Sequence, residues 1–204
     1  LGDMNRAKQI AKRIVDEANR LGVQEIVISE CGHAYACYRW DAPNWFAGQF
    51  DFKVRSLVEV LAEYIADGRI NVDPTAIPEP VTYHDSCNNA RSCGMFEEPR
   101  EVLSHVVTDF REMYPNRAEN YCCTGGGGAM SMSEYTPRRL KSARIKADQL
   151  ARTGAAAVES TGYEPLYVDL IFSKTPIVPQ GDGAKDVPVE LPSEMPVGSG
   201  KPEK

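Results

Sequence analysis

Apolar residues recur every three to four positions in four segments of the chain, a spacing that predicts amphipathic helices. These segments run over 4–21, 54–66, 98–114 and 136–152. Asp3 is a possible N-cap of the first helix and Gly22 its stop, while Pro99 lies in the first turn of the third. We therefore expect four helices, each with one face against a core.

Short apolar runs that are rich in β-branched residues or alanine lie between these helices. They cover residues 25–29, 81–84 and 155–158. Runs of this kind with little polar interruption are typical of parallel strands that are covered on both faces. Because helices and strands alternate along the chain, the pattern predicts an α/β fold with a mainly parallel sheet flanked by helices.

The last part of the chain lacks any apolar period and is rich in proline, glycine and charged residues. This composition predicts a disordered tail over 174–204, behind one domain that spans 1–173. The chain begins at Leu1 rather than at methionine. We therefore expect it to be a fragment of a longer polypeptide.

The charge and hydropathy of the sequence narrow the classes of partner. A net charge of −6 and a pI near 5.2 disfavour binding to nucleic acid or to an acidic membrane surface. The sequence contains no apolar run long enough to span a membrane and no signal peptide. We expect a cytoplasmic protein whose partners are other proteins or small molecules.

The chain has six cysteines, at positions 31, 37, 87, 93, 122 and 123. An even number permits disulfides, but without an export signal metal binding or redox chemistry is the better interpretation. Cys31 and Cys87 each follow a predicted strand. We interpret Cys37 and Cys93 as small buried residues or accessory thiols.

Cys122 and Cys123 are adjacent and are followed by Thr124 and the glycines 125–128. Neighbouring cysteines seldom bridge each other, whereas two neighbouring thiolates can bind one iron–sulfur cluster. The glycines would let backbone N–H groups point at such a cluster. Three alternatives stay open: structural cysteines beside a flexible loop, a phosphate loop and a zinc site. The sequence has neither the phosphate-loop pattern nor paired CxxC spacings, and the first lysine after the glycines is Lys141.

Several motifs together resemble the cysteine-rich CCG domain of heterodisulfide reductase and its relatives. They are YHDSCNNAR at 83–91, FEEPR at 96–100 and the cysteine pair with its glycines. The ECGHA motif at 30–34 and VRS at 54–56 most resemble the catalytic iron–sulfur subunit of membrane-associated sulfite-reduction electron-transfer complexes. The resemblance covers roughly 31–157 and implies a two-repeat architecture, of which this chain is the C-terminal part.

The resemblance also implies the cofactor and the residues that hold it. It implies a [4Fe–4S] cluster, of the cubane or of an unusual non-cubane kind, at which a disulfide or trisulfide is reduced or formed. The implied metal ligands are Cys31, Cys87, Cys122 and Cys123. The candidate catalytic residues are Cys122, Cys123 and His33, and the candidate cofactor-binding glycines are Gly125, Gly126 and Gly127. His33 lies two residues from Cys31, where it could donate to a sulfur or relay a proton; the alternative is a loop histidine without such a role.

The sequence departs from the family pattern at two places. It has no cysteine after Cys123, where relatives carry a further motif, and Thr124 stands where relatives have glycine. His84 and Asp85, just before Cys87, are interpreted as structural residues that orient its loop.

The implied partners are membrane-bound electron-transfer subunits and a thiol/disulfide carrier protein or small-molecule disulfide, with the chain peripheral on the inner face of the membrane. The rival hypotheses are an iron–sulfur subunit of a glycolate- or lactate-type oxidase and a cluster-free structural domain. The lack of cysteine after Cys123 favours the second rival.

Overall fold

The computed structural model describes residues 2–29, 31–126 and 128–160. In chain order the elements are α1 (Met4–Leu21), β1 (Glu25–Ile28), α2 (Gly32–Ala36), α3 (Ala42–Trp45), β2 (Lys53–Ser56), α4 (Leu57–Ala66), β3 (Val81–His84), α5 (Glu98–Val106), α6 (Thr136–Thr153) and β4 (Ala157–Ser160). Turns of π-helix cover Cys37–Asp41 and Cys87–Ser92, and 3-10 turns cover Arg117–Glu119, Gly128–Ser131 and Ser133–Tyr135.

The strands pair in parallel, as predicted, and the fold is α/β. β1 pairs with β2, and β3 pairs with β4. Within the described residues, however, these pairs form two separate two-stranded sheets instead of one larger sheet. The two-repeat architecture stays a prediction.

Each sheet has its own apolar core. The first core lies between α1, the helical turns after Cys31 and β2, and its fully covered members include Val15, Tyr35 and Ala42. The second lies around β3 and α5, with Val81 and Leu103 among its members. The two cores correspond to the two halves of the sequence pattern, each with a strand that leads to a cysteine.

The prediction of a helix over 54–66 is wrong at the start of that range. Val54 belongs to β2, and the helix begins only after Ser56, whose side chain accepts a hydrogen bond from the backbone N–H of Val58. Glu59 completes a capping box by accepting the N–H of Ser56 at 2.7 Å. Val54 fits both the helical stripe and the alternation of a strand, so periodicity alone could not separate the two.

The helix predicted over 98–114 ends early, at Val106, because Val107 adopts an extended conformation with φ −134° and ψ 150°. The backbone beyond it bonds to β3 instead. Val81 donates its N–H to the carbonyl of Asp109 and accepts the N–H of Arg111, both at 2.8 Å. Pairing with the sheet therefore replaces the last turns of the predicted helix.

Helix α6 confirms the prediction over 136–152, and it ends at Gly154 with a left-handed φ of 60°. None of the helices within the described residues is both long and apolar enough to span a bilayer. The tail predicted over 174–204 and the domain boundary at 173 lie outside the described residues.

Candidate functional site

Cys31 and Cys87 both follow the C-terminal end of a parallel strand, as the sequence predicts. Cys31 comes after β1 and serves as the N-cap of α2, where its Sγ accepts the N–H of Ala34 at 3.4 Å. Cys87 comes after β3 and begins the π-helical turn Cys87–Ser92. Loops at this end of parallel strands are the usual place for a binding site in α/β proteins.

Gly32 lets the Cys31 loop pack directly against the Cys87 turn. A Cβ atom at position 32 would lie 2.9 Å from Cβ of Asn88 and 3.0 Å from Oδ1 of Asn89. Only glycine fits this approach without a shift of one segment. The contact joins the two halves of the chain beside the cysteines.

The structure brings Cys87, Cys122 and Cys123 together. The Sγ atoms of Cys87 and Cys122 are 4.0 Å apart although the residues are 35 positions apart in the chain. The thiols of Cys122 and Cys123 also form a hydrogen bond. Cys122 is exposed, whereas Cys123 is buried. Of this pair, Cys122 is the residue that solvent or a partner can reach.

Backbone N–H groups point at both sulfurs of the cysteine pair. Thr124 donates its N–H to Sγ of Cys122 at 3.2 Å, and Gly125 donates its N–H to Sγ of Cys123 at 3.3 Å. Such hydrogen bonds favour the thiolate over the thiol. The sequence interpretation expected amide donors in this loop, and among its described residues Thr124 and Gly125 provide them.

The pKa of Cys122 is far below its usual range. The largest cause is the hydrogen bond from Cys123, followed by the hydrogen bond from Cys87, and the N–H of Thr124 and the charge of His84 add to it. Burial opposes the shift without reversing it. These hydrogen bonds favour the thiolate form of Cys122, and a thiolate is the form that binds metal or attacks a disulfide.

Thr124 adopts a φ of 60°, in the left-handed region that favours glycine. This conformation explains why a glycine suits the position after the cysteine pair. Thr124 is held there by α6, because its Oγ1 donates to the carbonyl of Arg139 at 3.0 Å and its own carbonyl accepts Nε of Arg139 at 3.0 Å. The departure from the family pattern thus keeps the loop conformation.

A buried ion pair orients the Cys87 turn. Asp85 is 1% exposed, and Arg100 donates to its two carboxylate oxygens at 2.9 and 2.8 Å. Arg100 also binds Glu112, at 2.6 and 2.9 Å. Asp85 accepts the N–H of Arg117 at 2.7 Å, which ties the turn to the segment that leads to Cys122. This burial fits the structural role predicted for Asp85.

Asn120 and Lys146 lie beside the cysteine pair and were missed by the sequence interpretation. Asn120 is buried, and its side chain donates to the carbonyl of Asp85 while its own carbonyl accepts a guanidinium N–H of Arg91. Lys146 is 2% exposed and donates Nζ to Oδ1 of Asn120. A signal was present in the sequence, because Lys146 occupies the same helix stripe as Ala143 and Leu150.

Other predicted site residues lie apart from these contacts. His33 and Gly126 are exposed, and Gly127 lies outside the described residues. Cys37 and Cys93 pack beside the first core, where burial raises the pKa of both thiols. That environment fits the buried or accessory thiols predicted for these positions.

In the described ranges, no three histidine, cysteine, aspartate or glutamate side chains form a group ready to hold a single metal ion. The thiols of Cys87, Cys122 and Cys123 are connected in pairs instead. A cluster of several iron and sulfur atoms is larger than one ion, so its ligand sulfurs need not meet at one point. Three thiols with two amide donors on their sulfurs fit the ligand chemistry of such a cluster.

Residues 81–163 match the family model described as CCG, cysteine-rich domain. The segment is similar to that cysteine-rich domain. It contains Cys87, Cys122 and Cys123, and the resemblance stated from the sequence is confirmed. Cys31 and His33 precede the matched segment, and Gly32 between them packs against Asn88 and Asn89 of that segment.

Curated relatives of the chain are iron–sulfur proteins and components of heterodisulfide reductases. The chain is 32% identical over 61% of its length to the Hdr-like menaquinol oxidoreductase iron-sulfur subunit of Archaeoglobus profundus, covering 28% of that protein. It is 31% identical over 72% of its length to the probable iron-sulfur-binding oxidoreductase FadF of Bacillus subtilis, covering 20%. It is 32% identical over 69% of its length to a component of the dihydromethanophenazine:CoB–CoM heterodisulfide reductase of Methanosarcina acetivorans, covering 34%.

The chain therefore spans only about a fifth to a third of the length of these relatives. No solved structure matches it significantly.

Proposed function

We propose that this chain is part of an iron–sulfur oxidoreductase subunit of the heterodisulfide-reductase-like class, and that its CCG domain carries electrons to or from a disulfide or trisulfide. The proposal depends on one observation above all. Cys87 and Cys122 have their sulfurs 4.0 Å apart, and the sulfurs of the cysteine pair accept the N–H groups of Thr124 and Gly125.

The ligands in this proposal are Cys87, Cys122 and Cys123, with Cys31 as the fourth. A [4Fe–4S] cluster of cubane or non-cubane form would supply one-electron chemistry at these sulfurs. The amides of the cysteine-pair loop hold negative charge on the sulfurs, and hydrogen bonds of this kind raise the reduction potential of such a centre. The proposed cofactor-binding glycines are Gly125, Gly126 and Gly127, which follow Thr124 in the sequence.

Reduction of a disulfide takes two electrons and two protons and yields two thiols. In this proposal the electrons come from membrane-bound electron-transfer subunits, and the disulfide belongs to a thiol carrier protein or a small molecule. Cys122 is the exposed sulfur of the pair, so the substrate would approach from its side. The exposed imidazole of His33 would donate a proton at the edge of the site.

The first experiment is anaerobic reconstitution of the chain with iron and sulfide, followed by counts of both and an EPR spectrum. We expect about four of each per chain, and loss of both in Cys122→Ser and Cys123→Ser. Cys37→Ser is the matched control, because Cys37 packs beside the first core away from the pair. A wild-type chain without iron, or a Cys122→Ser variant with full iron, would contradict the proposal.

A second candidate is electron transfer to or from a quinone-linked partner without disulfide chemistry. The names of two relatives favour it, because one is a menaquinol oxidoreductase subunit and another, from Syntrophomonas wolfei, is an EtfAB:quinone oxidoreductase. The test is to reduce the reconstituted chain and add either cystamine, a small disulfide, or menadione, a soluble quinone. Oxidation by cystamine supports the disulfide proposal, whereas oxidation by menadione alone supports the second candidate.

A further inference from the structure

Lys146 is buried, and its hydrogen-bond partners are uncharged. Its ammonium group donates to Oδ1 of Asn120 and Oε1 of Gln149, both at 2.5 Å, and lies 3.8 Å from the sulfur of Met113. Lysine is almost never fully buried unless it is paired with a negative charge. A lysine whose interior partners are two amides therefore needs a negative charge nearby to offset the cost of burying its ammonium group.

The negative charges that act on Lys146 come from the cysteine site. Burial lowers the pKa of Lys146 to about 8, while electrostatic interactions with Cys123, Asp85, Cys122 and Cys87 oppose that shift. Asn120 connects Lys146 to both segments, because it accepts a hydrogen bond from Lys146, lies two residues before Cys122 and donates to the carbonyl of Asp85. At neutral pH the lysine carries a positive charge within the protein.

Asn120 links this charge to the position of the cysteine pair. It precedes Cys122 by two residues, and it bonds at once to Lys146, to the carbonyl of Asp85 and to Arg91. Lys146 thus fixes a residue that joins the Cys87 turn to the segment leading into the cysteine pair. An apolar side chain of similar length, such as methionine, would leave Oδ1 of Asn120 without this donor.

We propose that Lys146 is a positioning residue and the internal cation of the cysteine site, which fixes Asn120 beside the cysteine pair and stabilises the more negative, reduced state of the redox centre. The geometric part depends only on the described contacts. The redox part rests on the proposed function. Both roles differ from that of a residue that only packs against its neighbours in α6.

The first test needs no cluster. Cys122 of the metal-free chain is alkylated with the anion iodoacetate and with neutral iodoacetamide, and the two rates are measured by mass spectrometry of its peptide. Both reagents attack the same thiolate, so the ratio of the rates reports the local potential and not the thiol pKa. We expect the iodoacetate-to-iodoacetamide ratio to fall severalfold in Lys146→Met and to persist in Lys146→Arg.

Lys141→Met is the matched control, because Lys141 is an exposed lysine of the same helix. This control should keep the wild-type ratio. If Lys146→Met does not fold, Lys146→Gln replaces it, since glutamine keeps an N–H donor for Asn120 without the charge. An unchanged ratio in a folded, uncharged variant overturns the proposal.

The second test uses the reconstituted protein. At a fixed potential we expect the ratio of reduced to oxidised cluster to fall about tenfold in Lys146→Met, a shift of about 59 mV for one electron, with recovery in Lys146→Arg. An equal potential in Lys146→Met and wild type overturns the redox part. If the wild-type chain binds no iron, the proposed function fails, and the alkylation ratio still decides the role of Lys146.

Discussion

The guanidinium of Arg100 donates two hydrogen bonds to the carboxylate of Asp85, at 2.9 and 2.8 Å, two residues before Cys87. Both side chains are buried. Arg100 comes from α5, so the pair fixes the turn that carries Cys87 to a helix of the second core. The position of a candidate ligand therefore depends on an ion pair that does not itself take part in the chemistry.

Asp85→Asn should destabilise the fold by about 3 kcal/mol, because it leaves a buried guanidinium without its main partner. Urea unfolding followed by circular dichroism measures this loss. The control is Asp109→Asn, which removes a partner from the exposed pair with Arg111 and should cost less than about 1 kcal/mol. Equal losses of unfolding free energy in the two variants would show that the buried Asp85 pair stabilises the fold no more than the exposed pair does.

The stability should depend on pH through Asp85. Burial raises the pKa of this carboxyl, but hydrogen bonds from Arg100 and from the N–H of Arg117 outweigh it, and the pKa is lowered in the fold. A lowered pKa stabilises the fold above the unfolded value of about 3.9, and this contribution is lost as the pH falls through the folded pKa. The gap in urea midpoint between wild type and Asp85→Asn should therefore narrow as the pH falls from 6 to 3. A difference in urea midpoint that stays constant with pH would show that ionisation of Asp85 is not its cause.

Gly32→Ala should cost about 1–3 kcal/mol, as overpacking does, because the new Cβ would lie 2.9 Å from Cβ of Asn88. A Cβ cannot rotate away, so the backbone of one segment must move. Urea unfolding measures the loss. Asn88→Gly in the same chain removes the opposing atom, and the double variant should be more stable than the sum of the two single losses predicts. Simple additivity would mean that the contact is not tight.

Thr124 should tolerate glycine better than valine. Glycine accepts the φ of 60° without strain, although it loses the hydroxyl bond to Arg139. Valine keeps the branched Cβ in the left-handed region and loses the same bond. We expect Thr124→Val to cost roughly 1–3 kcal/mol more than Thr124→Gly, measured by urea unfolding. A glycine variant less stable than the valine variant would show that the left-handed φ of residue 124 does not strain a branched side chain.

The helices predicted correctly are those in which the apolar period and the stop signal agree. α1 has an apolar stripe, a side-chain cap at Asp3 and a left-handed Gly22, and the structure confirms all three. α6 likewise ends at its glycine. The placement of Cys31 and Cys87 after β1 and β3 followed from the same local reasoning.

Long-range contacts determine the features that could not be predicted from the sequence. The segment after Val106 has a helical stripe, yet its backbone pairs with Val81 across the sheet. The Asp85 pair with Arg100 and the contact of Lys146 with Asn120 join residues 15 and 26 positions apart. No local spacing encodes such partners, and Lys146 in an apolar stripe was the one visible anomaly.

The closeness of Cys87 and Cys122 also makes the site sensitive to oxygen. Sulfur atoms in a disulfide are about 2 Å apart, and these two Sγ atoms are already within 4.0 Å of each other. A thiolate oxidises far more readily than a thiol, and Cys122 is exposed. In a preparation made in air, these two sulfurs would join and become unable to bind metal. Purification under reducing, oxygen-free conditions therefore decides whether the chain can be loaded at all.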